Sequence, residues 1–246
     1  MEKRYEGKAK IIYPTDDPNV LLTHFKDDAT AFNAQKKGTI AQKGAINCRI
    51  SAALFTLLEE QGIATHYLDQ VAPNQMRVKA VTILPLEVVV RNIAAGSLCR
   101  QTGLEEGTIL PFPLVEFYYK KDALGDPLLT RDRVLILNLA SLNQLEQLQS
   151  KALAINTYLK TFFGDCQITL VDFKLEFGLD TEDNLLLADE ISPDSCRLWD
   201  QKQAGDANAR VMDKDRFRKD LGNVETAYQE VQTRILSQIQ LTSNKE

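Results

Sequence analysis

The sequence is poor in the residues that metal centres and nucleophilic active sites often use. Its 246 residues include two histidines, four cysteines and one tryptophan. The cysteines, Cys48, Cys99, Cys166 and Cys196, stand far apart and form no CxxC pair, so their spacing matches no zinc motif. This scarcity argues against a histidine-rich metal site and against cysteine nucleophilic catalysis. It also favours a cytoplasmic location, where thiols remain reduced.

Long apolar segments are also missing. The most apolar stretch, residues 80–90, is interrupted by Pro85 and Glu87 and is too short to cross a bilayer. The charged start MEKRYEGKAK predicts no secretory signal. The 29 basic and 34 acidic side chains give a net charge of −5, which argues against nucleic acid or a membrane as the main partner. With 44% apolar and 26% charged residues, the composition is that of a globular protein.

Hydrophobic periodicity predicts a chain of mixed α and β structure. We expect helices over residues 44–60 and 145–163, and two helical pieces after residue 212 that are separated near Gly222. Strands are expected over residues 5–13, 20–25, 168–177 and 185–191, and residues 78–90 are expected to form two strands joined by a kink or hinge at Pro85. The first eighty residues are therefore rich in strands, and residues 81–246 mix helices with strands.

Charged and apolar side chains alternate in the segment VDFKLEFG, residues 171–178. In a strand, Asp172, Lys174 and Glu176 share one face, and the three apolar residues from Phe173 to Phe177 share the other. The apolar face requires a core to pack against. The charged face is explained either by an exposed sheet surface or by a functional site.

The next predicted strand brings a second set of carboxylates, Asp189 and Glu190. If residues 178–184 close a hairpin, Glu176 and Asp189 lie near each other on neighbouring strands. Two such carboxylates repel each other unless a cation lies between them. Mg²⁺ suits this position because it prefers oxygen ligands and is often held by one or two carboxylates plus substrate phosphates. The pair predicts a metal–nucleotide site, in which Lys174 contacts a phosphate or a carboxylate.

A glycine turn near the amino terminus could bind phosphate groups. Gly7, Lys8, Ala9 and Lys10 would present backbone N–H groups and two ammonium groups to a polyphosphate. The segment is not a Walker A loop, because the GxxxxGK[ST] spacing is absent. An ordinary turn is the alternative.

A second phosphate-binding candidate begins at Arg91, which ends an apolar strand and precedes Ala-Ala-Gly-Ser. We expect Ser97 to cap a short helix, so that its hydroxyl and the nearby N–H groups face an anion. Arg91 beside such a helix would form a pocket for a phosphate monoester. A surface salt bridge is the alternative explanation of Arg91.

Several segments resemble one enzyme family when they are taken in order. They are YEGKAKIIY, PLEVVVRNIAAGS, DFKLEFG, LADEISPDSCRLWD and MDKDRFRKDLG. This order resembles the SAICAR synthetase family over residues 5–236. The resemblance implies an α+β fold of two lobes. Residues 1–80 would form a nucleotide-binding antiparallel β lobe like the small lobe of protein kinases, and residues 81–246 an ATP-grasp-like α/β lobe with the metal and substrate sites.

The resemblance also implies an activity. Members of the family are ATP-dependent ligases of purine biosynthesis. They join L-aspartate to the carboxylate of 5-amino-1-(5-phospho-D-ribosyl)imidazole-4-carboxylate (CAIR) and form SAICAR, ADP and phosphate. The expected cofactors are ATP and Mg²⁺, the expected partners are these small molecules, and a homodimer is plausible.

Matching motifs imply roles for individual residues. Catalytic roles fall on Asp172, Lys174 and Arg91. The ATP-binding residues are Gly7, Lys8, Ala9, Lys10, Lys79, Val81, Glu87, Glu176 and Asp189. The substrate-binding residues are Arg91, Ser97, Arg197, Lys214 and Arg218. The Mg²⁺ ligands are Glu176 and Asp189.

Two questions stay open at this point. The L-aspartate pocket could use residues 33–37 or the basic cluster near Lys214 and Arg218. This chain has Asn33, Ala34 and Cys48 where many relatives carry other residues. The alternative functions are a phosphotransferase that acts on another carboxylate or hydroxyl, and a non-catalytic nucleotide sensor. The absence of HRD and DFG motifs argues against a protein kinase.

Overall fold

The computed structural model describes residues 2–31 and 35–243, and it combines antiparallel sheets with helices. The strands are β1 (Tyr5–Glu6), β2 (Lys10–Pro14), β3 (Val20–Phe25), β4 (Asp28–Ala31), β5 (Lys36–Thr39), β6 (Tyr67–Ala72), β7 (Gln75–Lys79), β8 (Thr82–Ile93), β9 (Ile109–Tyr119), β10 (Leu128–Leu129), β11 (Ile168–Leu179), β12 (Leu185–Ala188) and β13 (Cys196–Asp200). The helices are α1 (Lys43–Glu60), α2 (Ser97–Thr102), α3 (Arg131–Ile136), α4 (Leu142–Asp165), α5 (Asp215–Arg218) and α6 (Val224–Ser243). The predicted α+β fold is confirmed.

The first sheet has the strand order β1-β2-β3-β7-β6. Helix α1 packs against it, and the buried side chains of Ile46 and Leu54 join Phe25, Met76 and Val78 in one core. The apolar spacing along residues 44–60 therefore identified α1 to within one residue. The predicted strand over residues 5–13 is divided into β1 and β2 by a turn in which the Gly7 N–H donates to the Lys10 carbonyl (2.8 Å).

The second sheet has the order β10-β9-β8-β11-β12, and β13 pairs with β11. Its two central strands, β8 and β11, are each twelve residues long. Helix α4 packs against β8, β9 and β11 through an apolar face that includes Leu148, Ile155 and Leu159. A capping box between Ser141 and Gln144 begins this helix. The apolar faces of the central strands thus turn toward α4, which leaves their charged faces for the other side of the sheet.

Residues 78–90 do belong to two strands, as predicted, but the predicted junction at Pro85 is wrong. Strand β8 continues through Pro85, and the chain instead leaves the first sheet between Lys79 and Thr82. The pairing of β8 with β11 shifts register between Glu176 and Gly178, opposite the region of Pro85. Such a bulge accommodates proline inside a sheet, because the ladder there does not require the missing N–H.

The carboxyl-terminal part follows the prediction of two helical pieces. Helix α5 ends at Arg218 and α6 begins at Val224, and Gly222 between them has a positive φ of 69°. Helix α6 packs against α1, and its Tyr228 and Val231 are fully buried. The C-terminal helix is therefore part of the core.

Backbone hydrogen bonds connect the second sheet to the segment that leads into β6 of the first sheet. The Leu187 N–H of β12 donates to the Ala64 carbonyl (3.1 Å), and the His66 N–H donates to the Leu187 carbonyl (2.8 Å). The division of the chain at residues 80 and 81 stays a prediction. None of the helices within residues 2–31 and 35–243 is long and apolar enough to cross a membrane.

A buried pair of amides joins α4 to the centre of the second sheet. Asn92 donates to Asn156 (2.8 Å) and to the Leu170 carbonyl (3.2 Å), and Asn156 donates back to Asn92 (3.0 Å). Both side chains are almost completely buried. Each amide therefore depends on the other to avoid an unsatisfied polar group.

We expect Asn156→Ala to lower the free energy of unfolding by about 1–3 kcal/mol, because it removes the donor to the buried side-chain oxygen of Asn92 and leaves that oxygen unsatisfied. Urea unfolding measures the change. The control is Gln147→Ala, which removes an exposed amide from the same helix and should change stability by less than about 0.5 kcal/mol. Equal effects of the two substitutions would contradict the role of the amide pair.

Candidate active site

A cavity of about 620 Å³ lies between the two sheets. Its volume is within the range that binds small molecules and cofactors. Apart from Ser97 and the candidate L-aspartate residues 33–37, every residue that the sequence singled out for a site lines this cavity. They are Gly7, Lys8, Ala9, Lys10, Lys79, Val81, Glu87, Arg91, Asp172, Lys174, Glu176, Asp189, Arg197, Lys214 and Arg218.

One end of the cavity is largely apolar. Ile12, Leu21 and Val78 of the first sheet line it together with Val81, which precedes β8, and Ile83 of β8. The turn at Gly7 lies at the edge of this region. Apolar walls beside a small number of polar groups are typical of sites that bind a flat aromatic ring.

A lysine–carboxylate cluster lies deeper in the cavity. Its members are Lys10, Lys120, Lys174, Glu87, Glu176, Asp189 and Glu190. Three ammonium groups face four carboxylates, so the cluster carries one excess negative charge. A polyphosphate that enters here requires a further cation or the displacement of carboxylates from the lysines.

Lys174 is the centre of this cluster. Its ammonium group contacts Glu176, lies 3.1 Å from Asp189 and lies 3.6 Å from Glu87. Strand pairing explains the arrangement, because Glu176 pairs with Ala188 and Asp189 is the next residue. The predicted hairpin and the predicted proximity of Glu176 and Asp189 are therefore confirmed. Asp189 has a positive φ of 65°, a conformation that an aspartate adopts more readily than most residues.

The remaining lysines complete the pairing of the cluster. Lys10 contacts Asp189 and lies 2.9 Å from Glu190, whereas Lys120 contacts Glu176. Burial favours the neutral form of Lys10, but Asp189 and Glu190 outweigh it and raise the pKa of Lys10. Burial likewise opposes ionisation of Asp189, yet Lys10 and Lys174 lower the pKa of Asp189 far below its ordinary value. Lys10 and Asp189 are thus charged at neutral pH.

Carboxylates in the cluster could also hold a metal ion. Within the described part of the chain, no three histidine, cysteine, aspartate or glutamate side chains converge as a complete metal site. Glu176 and Asp189 form a two-carboxylate set, and this suits Mg²⁺, which usually takes its other ligands from water and substrate phosphates.

An arginine cluster occupies the other end of the cavity. It consists of Arg91, Arg197, Arg218, Glu116, Asp172 and Asp215. Asp172 lies between two guanidinium groups, 2.8 Å from Arg91 and 2.7 Å from Arg197. The strand register produces this contact, because Asp172 of β11 pairs with Arg91 on one side and with Arg197 on the other. Arg91 also contacts Glu116 at 2.7 Å.

Ser97 does not cap a helix, contrary to the prediction. Gly96 is the residue before α2, and no side chain caps this helix. The Ser97 hydroxyl instead accepts a hydrogen bond from Arg91 (2.8 Å) and orients its guanidinium from behind the cavity wall. Gly96 has a φ of 58°, and a Cβ atom there would overlap the Arg197 guanidinium, so the close approach requires glycine.

Several residues of the cavity were missed by sequence reasoning. Lys120 follows β9 and contacts Glu176, and Asp194 lines the cavity beside Lys214. His66 also lines it, and burial lowers the pKa of His66 to about 4. Only for Asp194 did the sequence offer a sign, because it lies in the segment DEISPD close to Asp189. Lys120 and His66 come from loops far away in the sequence.

The two alternatives for L-aspartate differ in their position. Lys214 and Arg218 line the cavity. Asn33 and Ala34 lie outside the described residues, and the Lys36 ammonium group donates to the Phe217 carbonyl (2.6 Å). Cys48 is buried within α1.

Known proteins match this chain over nearly its whole length. The profile of SAICAR synthetase matches residues 3–235. The chain belongs to the SAICAR synthetase family. The phosphoribosylaminoimidazole-succinocarboxamide synthase of Trichodesmium erythraeum is 69% identical over 236 residues, which cover 96% of this chain and 97% of the relative.

Solved structures of the family share the fold. The phosphoribosylaminoimidazole-succinocarboxamide synthase of Ehrlichia chaffeensis has a TM-score of 0.91 at 43% identity, with 95% of this chain and 98% of that chain covered. A SAICAR synthetase in complex with ADP has a TM-score of 0.90 at 46% identity, with 95% and 97% covered. With the family, the predicted class of enzyme is confirmed, an ATP-dependent ligase of purine biosynthesis.

We expect Asp172→Asn to lower the free energy of unfolding by about 3 kcal/mol, because the buried Arg91 and the partly buried Arg197 then lose their shared carboxylate. Chemical denaturation measures the loss. Asp69→Asn is the matched control, since Asp69 forms a similar contact with Arg77 (2.6 Å) at the surface, where ion pairs contribute little. A loss at Asp172 no larger than that at Asp69 would refute the role of the arginine cluster in stability.

Proposed function

We propose that this SAICAR synthetase-family ligase binds ATP and CAIR at opposite ends of the cavity and brings their reacting groups together beside β11. The observation that carries the proposal is the alternation along β11, which joins the two charged clusters. Asp172 belongs to the arginine cluster, whereas Lys174 and Glu176 belong to the lysine–carboxylate cluster. The reacting groups would therefore meet at Lys174, with a phosphate-binding region on either side.

ATP fits the end of the cavity that combines apolar walls with lysines. The base would lie between Leu21, Val78 and Val81, with the backbone near Lys79 alongside. The phosphates would lie against the turn from Gly7 to Lys10. Lys8 and Lys10 then supply positive charge, and the exposed Lys8 is paired only with the exposed Asp122 in the described chain (2.7 Å). The ADP complex of a relative supports nucleotide binding in this fold.

CAIR fits the arginine cluster because it carries a phosphate and a carboxylate. Arg91 and Arg197 offer planar guanidinium groups, which bind phosphate in a bidentate manner. Their carboxylate partners hold them in place in the cavity wall. The proposed role of Ser97 is to orient Arg91 through its hydroxyl. The proposed role of Arg218 is to orient Arg197 through Asp215, which contacts both arginines.

The proposed reaction has two steps. A carboxylate does not react with an amine directly, because oxide is a poor leaving group. First, a carboxylate oxygen of CAIR attacks the γ-phosphorus of ATP, the bond to ADP breaks, and an acyl phosphate forms. The amine of L-aspartate then attacks the acyl carbon, phosphate leaves, and the amine loses a proton. In the first step, Lys174 would stabilise the negative charge that passes from the attacking carboxylate oxygen of CAIR to the oxygen of the leaving ADP.

Mg²⁺ is the proposed metal, and Glu176 and Asp189 are its proposed ligands. The ion would neutralise charge on the phosphoryl oxygens when it is bound. The excess negative charge of the lysine–carboxylate cluster supports a cation there. A homodimer and a cytoplasmic location stay predictions.

ADP release tests the reaction directly. We expect the purified protein to form ADP and the succinocarboxamide product only when Mg²⁺, ATP, CAIR and L-aspartate are all present. Omission of each component in turn identifies the order of chemistry. ADP formed without L-aspartate would support phosphorylation before amine attack. A folded protein that binds ATP but releases no ADP under any combination would favour a nucleotide sensor, and ADP formed with another acceptor would favour a phosphotransferase.

The metal ligands are tested by isosteric substitutions. We expect Glu176→Gln and Asp189→Asn each to lower kcat by about 100-fold or more, because a neutral amide binds Mg²⁺ poorly. Glu182→Gln is the control, since Glu182 is exposed in the hairpin between β11 and β12. Circular dichroism checks that each variant is folded. A rate near that of the unmodified enzyme at saturating Mg²⁺ would rule out the affected ligand.

A further inference from the structure

A buried polar network connects helix α6 to the cavity wall. The Tyr228 hydroxyl donates to Oδ1 of Asp194 (2.7 Å), and the Lys43 ammonium group donates to Oδ2 (2.7 Å). Tyr228 is 0% exposed and Lys43 1% exposed, so water cannot replace these contacts. Asp194 itself lines the cavity. The terminal helix thus reaches the site through a single carboxylate.

Lys214 lies on the cavity side of the same carboxylate. Its Nζ atom is 4.0 Å from Oδ2, the oxygen that Lys43 already occupies at 2.7 Å. Both carboxylate oxygens of Asp194 therefore already accept a hydrogen bond, one from Tyr228 and one from Lys43. The Lys214 ammonium group is farther away and remains available to a ligand in the cavity. Burial lowers the pKa of Lys214, and the nearby Asp194 carboxylate opposes this shift.

Tyr228 decides which carboxylate oxygen Lys214 can reach. With the hydroxyl in place, Oδ1 is occupied. Without it, Oδ1 is a buried acceptor that lacks a partner, and such a group seeks the nearest donor. Lys214 is the nearby donor, because its Nζ atom lies 4.0 Å from the other oxygen of this carboxylate. A closed Lys214–Asp194 pair would withdraw the ammonium group from the cavity.

We propose that Tyr228 is a positioning residue of the ligase, which holds Asp194 so that Lys214 remains available to an anionic group of CAIR or L-aspartate. This inference rests on the proposed function. Packing alone would be satisfied by phenylalanine, since the ring lies among apolar residues such as Val231 and Ile235. The hydroxyl is what links the helix to the cavity.

The test compares Tyr228→Phe with the unmodified enzyme in steady-state kinetics, with each of the three substrates varied in turn. We expect the KM for CAIR or for L-aspartate to rise about tenfold, with the KM for ATP and kcat within about twofold. The substrate whose KM rises is the one whose anion Lys214 contacts. Tyr158→Phe is the control, because it removes a hydroxyl from a half-buried tyrosine of α4 outside the cavity lining.

A double-mutant cycle distinguishes positioning from a structural role. In a Lys214→Met background, Tyr228→Phe should change no KM further, because the residue through which it acts is gone. The same rise in KM in both backgrounds would overturn the proposal. So would a lower Tm with all three KM values unchanged.

Two further measurements distinguish the role of Tyr228 from the proposed function. Asp194→Asn removes the negative charge that would withdraw Lys214 from the cavity, so Tyr228→Phe in an Asp194→Asn background should raise no KM further; the same rise in KM as in the unmodified background would also overturn the proposal. Loss of ligation by the unmodified enzyme would contradict the proposed function itself. Ligation by that enzyme with unaltered kinetics of Tyr228→Phe would contradict only the role of Tyr228.

Discussion

The compensation of buried charge along β11 is the constraint on which the site depends. Asp172, Lys174 and Glu176 share the face of this strand that is turned away from α4; Asp172 and Glu176 are buried, and Lys174 is only 26% exposed. Every one of them therefore requires an opposite charge from a neighbouring element, because an unpaired ion in such a place is strongly unfavourable. Arg91 and Arg197 meet Asp172, and Lys120 meets Glu176. The folded chain thus carries two clusters in which positive and negative side chains nearly balance, and their ion pairs are formed without a ligand.

This constraint also explains the distribution of secondary structure. The apolar face of β11 packs against α4, which makes the central strands a firm support. The first sheet then covers the charged face and closes the cavity, and Lys10 crosses from it to Asp189 and Glu190. In such a site, each anionic group of a ligand can take the place of a protein carboxylate as the partner of a lysine or an arginine. The substrates of an ATP-dependent ligase require this kind of exchange, since they bring several anionic groups together.

Sequence reasoning succeeded where the pattern was local. The alternation over residues 171–178 correctly assigned the two faces of β11, and the apolar spacing identified α1. It failed at Pro85 and Ser97, because a bulge and a guanidinium contact from another segment replaced the local structure that each residue usually favours. Lys120 and Tyr228 offered no local pattern at all. Their positions follow from packing partners that are distant in the chain, Glu176 and Asp194.

The sequence by itself determined the family, the α+β class, the two faces of β11 and most of the charged residues that line the cavity. These features depend on residue type and short-range spacing, which repeat at the period of a helix or a strand. Only the tertiary structure decided which lysine meets which carboxylate, why Gly96 must be glycine and how α6 reaches the site. Such pairings depend on distances between segments that are far apart in the chain. Burial makes those distances energetically important, because it removes the water that would otherwise weaken each charge.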